Sequence, residues 1–321
     1  MDGIIIVNKP KWYTSFDVIA KARKTLGTKR IGHTGTLDPM ATGVLVLCVG
    51  KATSLVEYLT SDDKVYRTTI RLGIETDTAD LTGRITKYMK DGHVYERNET
   101  NSEELIDTTK NIKYISDIAS INYNNNLTFS NDLQFNLSKE KIENTLNEFI
   151  GIQEQVPPMY SSIKINGKKL YEYARKGKKV SVPSRTINVF EISDVEFNGR
   201  NEITYTVHCS KGTYIRALNE DISRKLGVIG TTQILERVKT GNFSLKNATE
   251  INQISEETII SIESLFDNKI LLNTSEEKKL LNGIDVDVND EDGIYNIYIN
   301  DIYYGLGKVK NKKLKRFIII H

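Results

Sequence analysis

Cysteine and histidine are scarce in this chain of 321 residues. Two cysteines, Cys48 and Cys209, build no disulfide framework. That usage suits a reducing cytosol and sets the expectation of a cytoplasmic protein. The four histidines, His33, His93, His208 and His321, share no metal-ligand spacing with the cysteines, so no metal is expected. His208 and Cys209 are neighbours on an expected strand, which sends their side chains to opposite faces. The H-x-E and C-x-x-C pair of a zinc deaminase is missing, as is a G-x-S-x-G nucleophile elbow. Gly50-Lys51 resembles the end of a phosphate-binding loop. However, six residues rather than four separate it from Gly43, and Ala52 stands where a Ser or Thr is needed. No apolar stretch approaches the ~20 residues of a membrane span, and Ile4 to Val7 is too short for a signal peptide. An excess of one charge is missing too: 44 Lys and Arg against 42 Asp and Glu leave a net +2. Charge must therefore be read locally.

What is present fits a soluble globular protein, with 39% hydrophobic and 27% charged residues. The length suggests about two domains. Gly3 to Val7 reads as a buried strand. Thr14 or Ser15 caps a helix with Val18, Ile19, Ala22 and Leu26 on one face, and Gly27 suits its C-cap. The stretch Gly32 to Pro39 reads as a loop or tight turn. Val44 to Val49 and Tyr66 to Leu72 follow as strands. From about 96 to 137 the chain is Asn-rich and weakly periodic, which predicts a surface insertion, partly flexible. A helix with Ile142, Leu146, Phe149 and Ile150 on one face is expected to end at Gly151. Ile163 to Lys169 carries the Asn166-Gly167 signal of a β-hairpin. A strand over Ile203 to Cys209, a helix from Ile215 to near Gly227 and a short helix over Glu256 to Leu265 complete the reading. The tail from 269 to 321 is β-rich. Strands and helices mix without regular alternation, which favours α+β.

Asp38 lies in a glycine-rich loop between a helix and a buried strand, with Pro39 biasing it toward extended backbone. Catalytic groups concentrate on loops held by a rigid scaffold. Taken alone, Asp38 reads as a turn cap more readily than as a catalytic group, and His33 equally as a turn residue. The whole segment is more specific. Gly32-His33-Thr34-Gly35-Thr36-Leu37-Asp38-Pro39-Met40-Ala41-Thr42-Gly43-Val44-Leu45 closely resembles the signature of the TruB family of tRNA pseudouridine synthases. The resemblance extends to Gly3 through Pro10, Lys64-Val65-Tyr66-Arg67, Arg71 through Asp80, Gln155 through Lys164, Gly167 through Arg175 and Cys209 through Arg216. It spans roughly residues 1–95 and 138–248. The tail is similar to a PUA-type RNA-binding domain.

The resemblance implies an α+β fold: a mixed, mainly antiparallel sheet with flanking helices over 1–248, a connecting helix or linker over 249–268, and a small PUA-like β domain over 269–321. It implies isomerisation of a uridine in the T-loop of tRNA to pseudouridine, without cofactor, metal or guide RNA, by a monomer. Asp38 would be the nucleophile, attacking the sugar C1′ or the base C6; both remain open. Arg216 would pair with Asp38. Tyr66 would stack on the extruded base, and Tyr214 and Leu235 would line the pocket. Asp80 would help hold the pocket together, Lys9 would support the loop, and His33 would fill the gap left in the RNA. Lys164, Lys168, Lys169 and Arg175 would bind the backbone near Tyr171 and Tyr173. A second basic run, Lys308 to Arg316, lies in the tail. The rival readings are a tRNA-folding chaperone using the same surface, a guide-RNA-dependent synthase, which the hairpin block from Ser161 to Arg175 argues against, and a non-catalytic RNA-binding module.

Overall fold

The computed structural model describes residues 1–90, 93–96, 135–178 and 180–320. The Asn-rich stretch expected as a surface insertion lies almost wholly outside them. The chain divides into two compact units, residues 1–62 with 241–321 and residues 63–240.

In the first unit, the strand Gly3–Lys9 runs antiparallel to Thr42–Val49, with Ile5 opposite Leu47. Both strands are apolar along their length because both faces are covered: Ile4, Ile5, Val7 and Val44 through Val49 are fully buried. A short strand, Ile31–His33, pairs with Thr42–Val49 and takes up the first residues of the expected loop. Helix Ser15–Leu26 begins at a capping box, in which Asp17 N–H donates to Thr14 Oγ1 and Thr14 N–H to Asp17 Oδ2. The Thr14 hydroxyl also donates to Asp17 Oδ2, at 2.7 Å, and this bond first, then that from Thr14 N–H, holds the Asp17 carboxyl below its usual range. The helix buries Val18, Ile19, Ala22 and Leu26, the face read from the sequence, and ends at Gly27 with φ 63°.

The C-terminal part of this unit is a five-stranded sheet. Its order is Lys269–Leu272, Gly293–Ile299, Ile302–Lys310, Lys313–Ile319 and Val286–Asp287. Ile294, Leu306 and Ile318 from this sheet share one core with Ile4, Ile6, Val44 and Val46. The helix expected over Glu256 to Leu265 is not formed. Two 3-10 turns, Glu256–Thr258 and Glu263–Leu265, flank a strand, Ile260–Ser261, that pairs antiparallel with Gly3 and Ile4. The edge of the first strand offers hydrogen-bonding groups that must be satisfied, and this segment satisfies them.

In the second unit, five strands lie antiparallel in the order Gly230–Thr240, Lys64–Leu72, Glu202–Cys209, Arg185–Phe197 and Gly151–Gln155. Helix Ile215–Lys225 packs through Ile215, Leu218 and Ile222. Its buried Asn219 donates to Thr68 Oγ1 at 3.0 Å and Thr232 Oγ1 at 2.9 Å, and accepts from Tyr205 Oη at 2.6 Å. One amide thereby ties the helix to three strands, and a satisfied buried network fixes the register of packing. Helix Lys139–Asn147 is capped by Ser138 and buries Ile142 and Leu146. It stops before Phe149 and Ile150, and Gly151 opens the next strand. The hairpin pairs Lys164–Ile165 with Lys168–Lys169 across Asn166 at φ 50° and Gly167 at φ 78°, the two positive φ values that a tight hairpin turn needs.

Candidate active site

The Asp38 loop is clamped from below. Lys9 has no exposed surface, and its ammonium donates to the carbonyl oxygens of Tyr13 at 2.6 Å, Pro10 at 2.9 Å and Pro39 at 3.3 Å. A buried charge is tolerable only when its donors are used in this way. Trp12 N–H also donates to the Pro39 carbonyl, at 2.7 Å. Ser15 Oγ accepts from Leu37 N–H at 3.0 Å, and Ala41 N–H donates to the Asp38 carbonyl at 3.0 Å. The flanking Leu37, Met40 and Ala41 are buried, whereas Asp38 itself is partly exposed. The loop thus has a rigid base and carries Asp38 at a partly exposed position. His33 sits at its entry. Its Nδ1 accepts from Gly35 N–H at 3.2 Å.

The other expected site residues belong to the second unit. Arg216, at the start of helix Ile215–Lys225, is 4% exposed. Its guanidinium donates to the carbonyls of Thr78 at 2.6 Å and Tyr160 at 2.8 Å, and lies 3.6 Å from Asp80 Oδ2. Asp80 is buried. Its Oδ1 accepts from Thr78 Oγ1 at 2.9 Å, Thr82 N–H at 2.8 Å and Thr82 Oγ1 at 2.5 Å. The sequence reading gave Arg216 and Asp80 separate tasks; within this unit they form one cluster. Tyr214, just before the helix, is bracketed by the buried Gln155. Its N–H donates to Gln155 Oε1 at 2.8 Å, and Gln155 Nε2 donates to its carbonyl at 3.0 Å. Gln155 has no such role in the sequence reading, because a lone glutamine at a strand end carries no periodic signal. The Arg185 guanidinium lies 5.8 Å from the centre of the Tyr214 ring. Tyr66 and Leu235 are buried on neighbouring strands, opposite Arg237 and Thr68 respectively.

Sulfur nucleophiles are disfavoured on physical grounds. Burial pushes the thiols of Cys48 and Cys209 up to about 12, so both stay protonated and unreactive at neutral pH. The basic hairpin is arranged around one ring. Lys169 Nζ lies 5.5 Å and the Arg175 guanidinium 5.3 Å from the centre of Tyr171. Lys164, Lys168 and Arg175 are exposed and Lys169 is half-buried. In the tail, Lys313 pairs with Asp287 and Lys315 with Asp285, while Arg316 donates to the Leu281 carbonyl. Part of that basic run is therefore already engaged. Among the described residues, no helix is long and apolar enough to cross a membrane.

Comparison with known proteins gives a consistent picture. The profile of the TruB family pseudouridylate synthase N-terminal domain matches residues 23–120 and 112–215. The tRNA pseudouridine synthase B of Clostridium perfringens (strain 13 / Type A) is 36% identical over 335 residues, 99% of each chain. That of Fusobacterium nucleatum subsp. nucleatum is 38% identical over 325 residues, 98% of each chain. Among solved structures, a Cbf5-Nop10-Gar1 complex aligns with a TM-score of 0.61 at 20% identity, over 99% of this chain and 84% of that one. An H/ACA RNP bound to a substrate RNA containing 2′-deoxyuridine aligns with the same score and identity, over 99% and 85%. The structural likeness speaks for a shared fold.

Proposed function

The chain belongs to the TruB family of pseudouridylate synthases, and on that premise we propose that it isomerises a uridine in the T-loop of tRNA to pseudouridine, with Asp38 as nucleophile. The observation that carries this reading is the clamp on the Asp38 loop: a fully buried ammonium, Lys9, fixes the backbone on either side of a partly exposed carboxylate. A carboxylate can act as a nucleophile and can leave again.

The chemistry balances without a co-reactant. Attack by an Asp38 oxygen, at C1′ or at C6, accompanies cleavage of the N1–C1′ bond. The base turns, a C5–C1′ bond forms, C5 loses its proton, N1 gains one, and Asp38 is released. The target base must leave the stacked loop, which costs a few kcal/mol. Stacking on Tyr66 returns about 1–3 kcal/mol of that. His33 occupies the space left in the RNA. Arg216 takes the role of charge partner that the family resemblance implies, and Asp80 holds Arg216. Tyr214 and Leu235 line the pocket. Lys164, Lys168, Lys169 and Arg175 bind the RNA backbone, and the tail sheet adds phosphate contacts through Lys308, Lys310 and Lys312. The protein acts in the cytoplasm as a monomer, on the T-arm, without a guide RNA.

The test incubates purified protein with unmodified tRNA alone and maps pseudouridine. A single product in the T-loop is expected. Asp38→Asn keeps the shape of the side chain but not its charge, so it abolishes product while leaving tRNA binding nearly intact. Turnover near wild type in that variant removes Asp38 from the mechanism. Binding and refolding of tRNA by the wild type without any product favours the chaperone reading instead.

A further inference from the structure

The segment between the first strand and the first helix exposes two aromatic rings, and the first turn of the helix exposes a third. Trp12 is 45% exposed, Tyr13 38% and Phe16 69%. Trp12 also has a φ of 70°, a left-handed conformation that a bulky L side chain rarely adopts. Trp12 is only about half buried and carries an unfavourable backbone. Glycine at this position relieves the strain, so neither packing nor turn geometry accounts for the ring. Strain of this kind persists where the surroundings over-determine it, and it clusters at ligand contacts. The determinants are on hand: Trp12 N–H on the Pro39 carbonyl, and the Lys9 ammonium on the carbonyls of Pro10 and Tyr13.

The same contacts tie the patch to Asp38, since Pro39 is the next residue. The surroundings are cationic and aromatic. Lys11 Nζ lies 5.1 Å from the centre of the Trp12 ring, and Phe16 meets His33 edge-on with ring centres 6.1 Å apart. The nearby carboxylate, Asp17, is committed to Thr14. Aromatic faces beside a cation suit a nucleobase with its phosphate, because every base offers a π face and every nucleotide a negative charge.

We propose that Trp12 and Phe16 form a stacking platform for an unpaired base next to the uridine that Asp38 attacks. The proposal rests on the reading of the chain as a synthase acting on a tRNA loop, and deepens it. Trp12 is the single tryptophan of the chain, so its fluorescence reports the platform alone. The experiment titrates the full-length protein with an unmodified T-arm hairpin RNA, and separately with heparin, a polyanion without bases. Stacking predicts saturable quenching by the hairpin and none by heparin. Trp12→Gly fits the positive φ and should not lower the melting temperature. It is expected to weaken hairpin binding about 5- to 100-fold, and Phe16→Ala similarly. Equal quenching by heparin, no quenching by the hairpin, or an unchanged affinity in Trp12→Gly overturns the platform. Pseudouridine mapping on the same wild-type samples keeps the two ideas apart: product without quenching sinks the platform alone, and quenching without product sinks the synthase reading alone.

Discussion

The Lys9 ammonium reaches the carbonyl oxygen of Pro39, thirty positions along the chain, at 3.3 Å. This bond joins the end of the first strand to the residue after Asp38. Replacing Lys9 by Met keeps most of the volume but leaves three carbonyls without this donor. Hydrogen bonds to a charged group contribute about 1.5–3 kcal/mol each, and they do not add fully. The variant should lose at least ~2 kcal/mol of stability in denaturant unfolding, and turnover should fall more than tRNA affinity. A melting curve and activity both like wild type would detach the clamp from function.

Arg216 serves two carbonyls and one carboxylate from a single planar group. In Arg216→Lys, an ammonium cannot span that fork. Loss of one or two such bonds corresponds to roughly a tenfold to hundredfold drop in kcat/KM. Steady-state kinetics on unmodified tRNA checks this. Full activity in the Lys variant would show that the fork geometry is dispensable.

Glu220 lies on the same helix as Arg216. Burial, and then the neighbouring Glu75 carboxylate, push its carboxyl up to about 7. The unfolded chain releases this proton near ~4.3. The folded state therefore holds the proton more tightly, and the associated stability is complete below the unfolded value and is lost as pH rises through 7. Glu220→Gln mimics the protonated form. Its melting temperature should exceed that of wild type by a few degrees at pH 8 and match it at pH 4. A constant difference across that range would mean that Glu220 does not titrate there.

The tail divides into two experiments. Deleting residues 269–321 removes Ile294, Leu306 and Ile318 from the core around Ile4, Ile6, Val44 and Val46. At about 1.5–3 kcal/mol per buried side chain, the loss rivals the ~5–15 kcal/mol that holds a typical domain together. The truncated chain is expected to melt far below wild type or to aggregate. Substituting the exposed Lys308, Lys310 and Lys312 by Ala leaves that core alone. If these lysines meet phosphates, the plot of log affinity against log salt becomes shallower by about one unit per lost contact. An unchanged slope would rule the contacts out.

Local signals made the first helix legible. Thr14, the apolar positions Val18, Ile19, Ala22 and Leu26, and Gly27 each act within a few residues, and each took its expected place. The Asn166-Gly167 turn was legible for the same reason. The strand Ile260–Ser261 was not. Its partner is Gly3-Ile4, some 250 positions away, and nothing in residues 256–265 encodes that edge. The site divides likewise. The Asp38 segment is recognisable as contiguous sequence, whereas the bracket of Gln155 on Tyr214 and the bond of Lys9 to Pro39 exist only after folding.

The core that joins Ile4 and Val46 to Leu306 and Ile318 has a consequence during synthesis. A ribosome releases the first 62 residues early, but their packing partners come last. At ~5–20 residues per second, some 250 residues take roughly 12–50 s to arrive. Over that interval the strand Gly3–Lys9, among the most apolar in the chain, waits without its full cover. The contiguous 63–240 unit, by contrast, emerges whole before the last 81 residues. The nascent N-terminus is thus the segment most in need of a holding chaperone, and synonymous codons that slow the last quarter of the message should lower soluble yield.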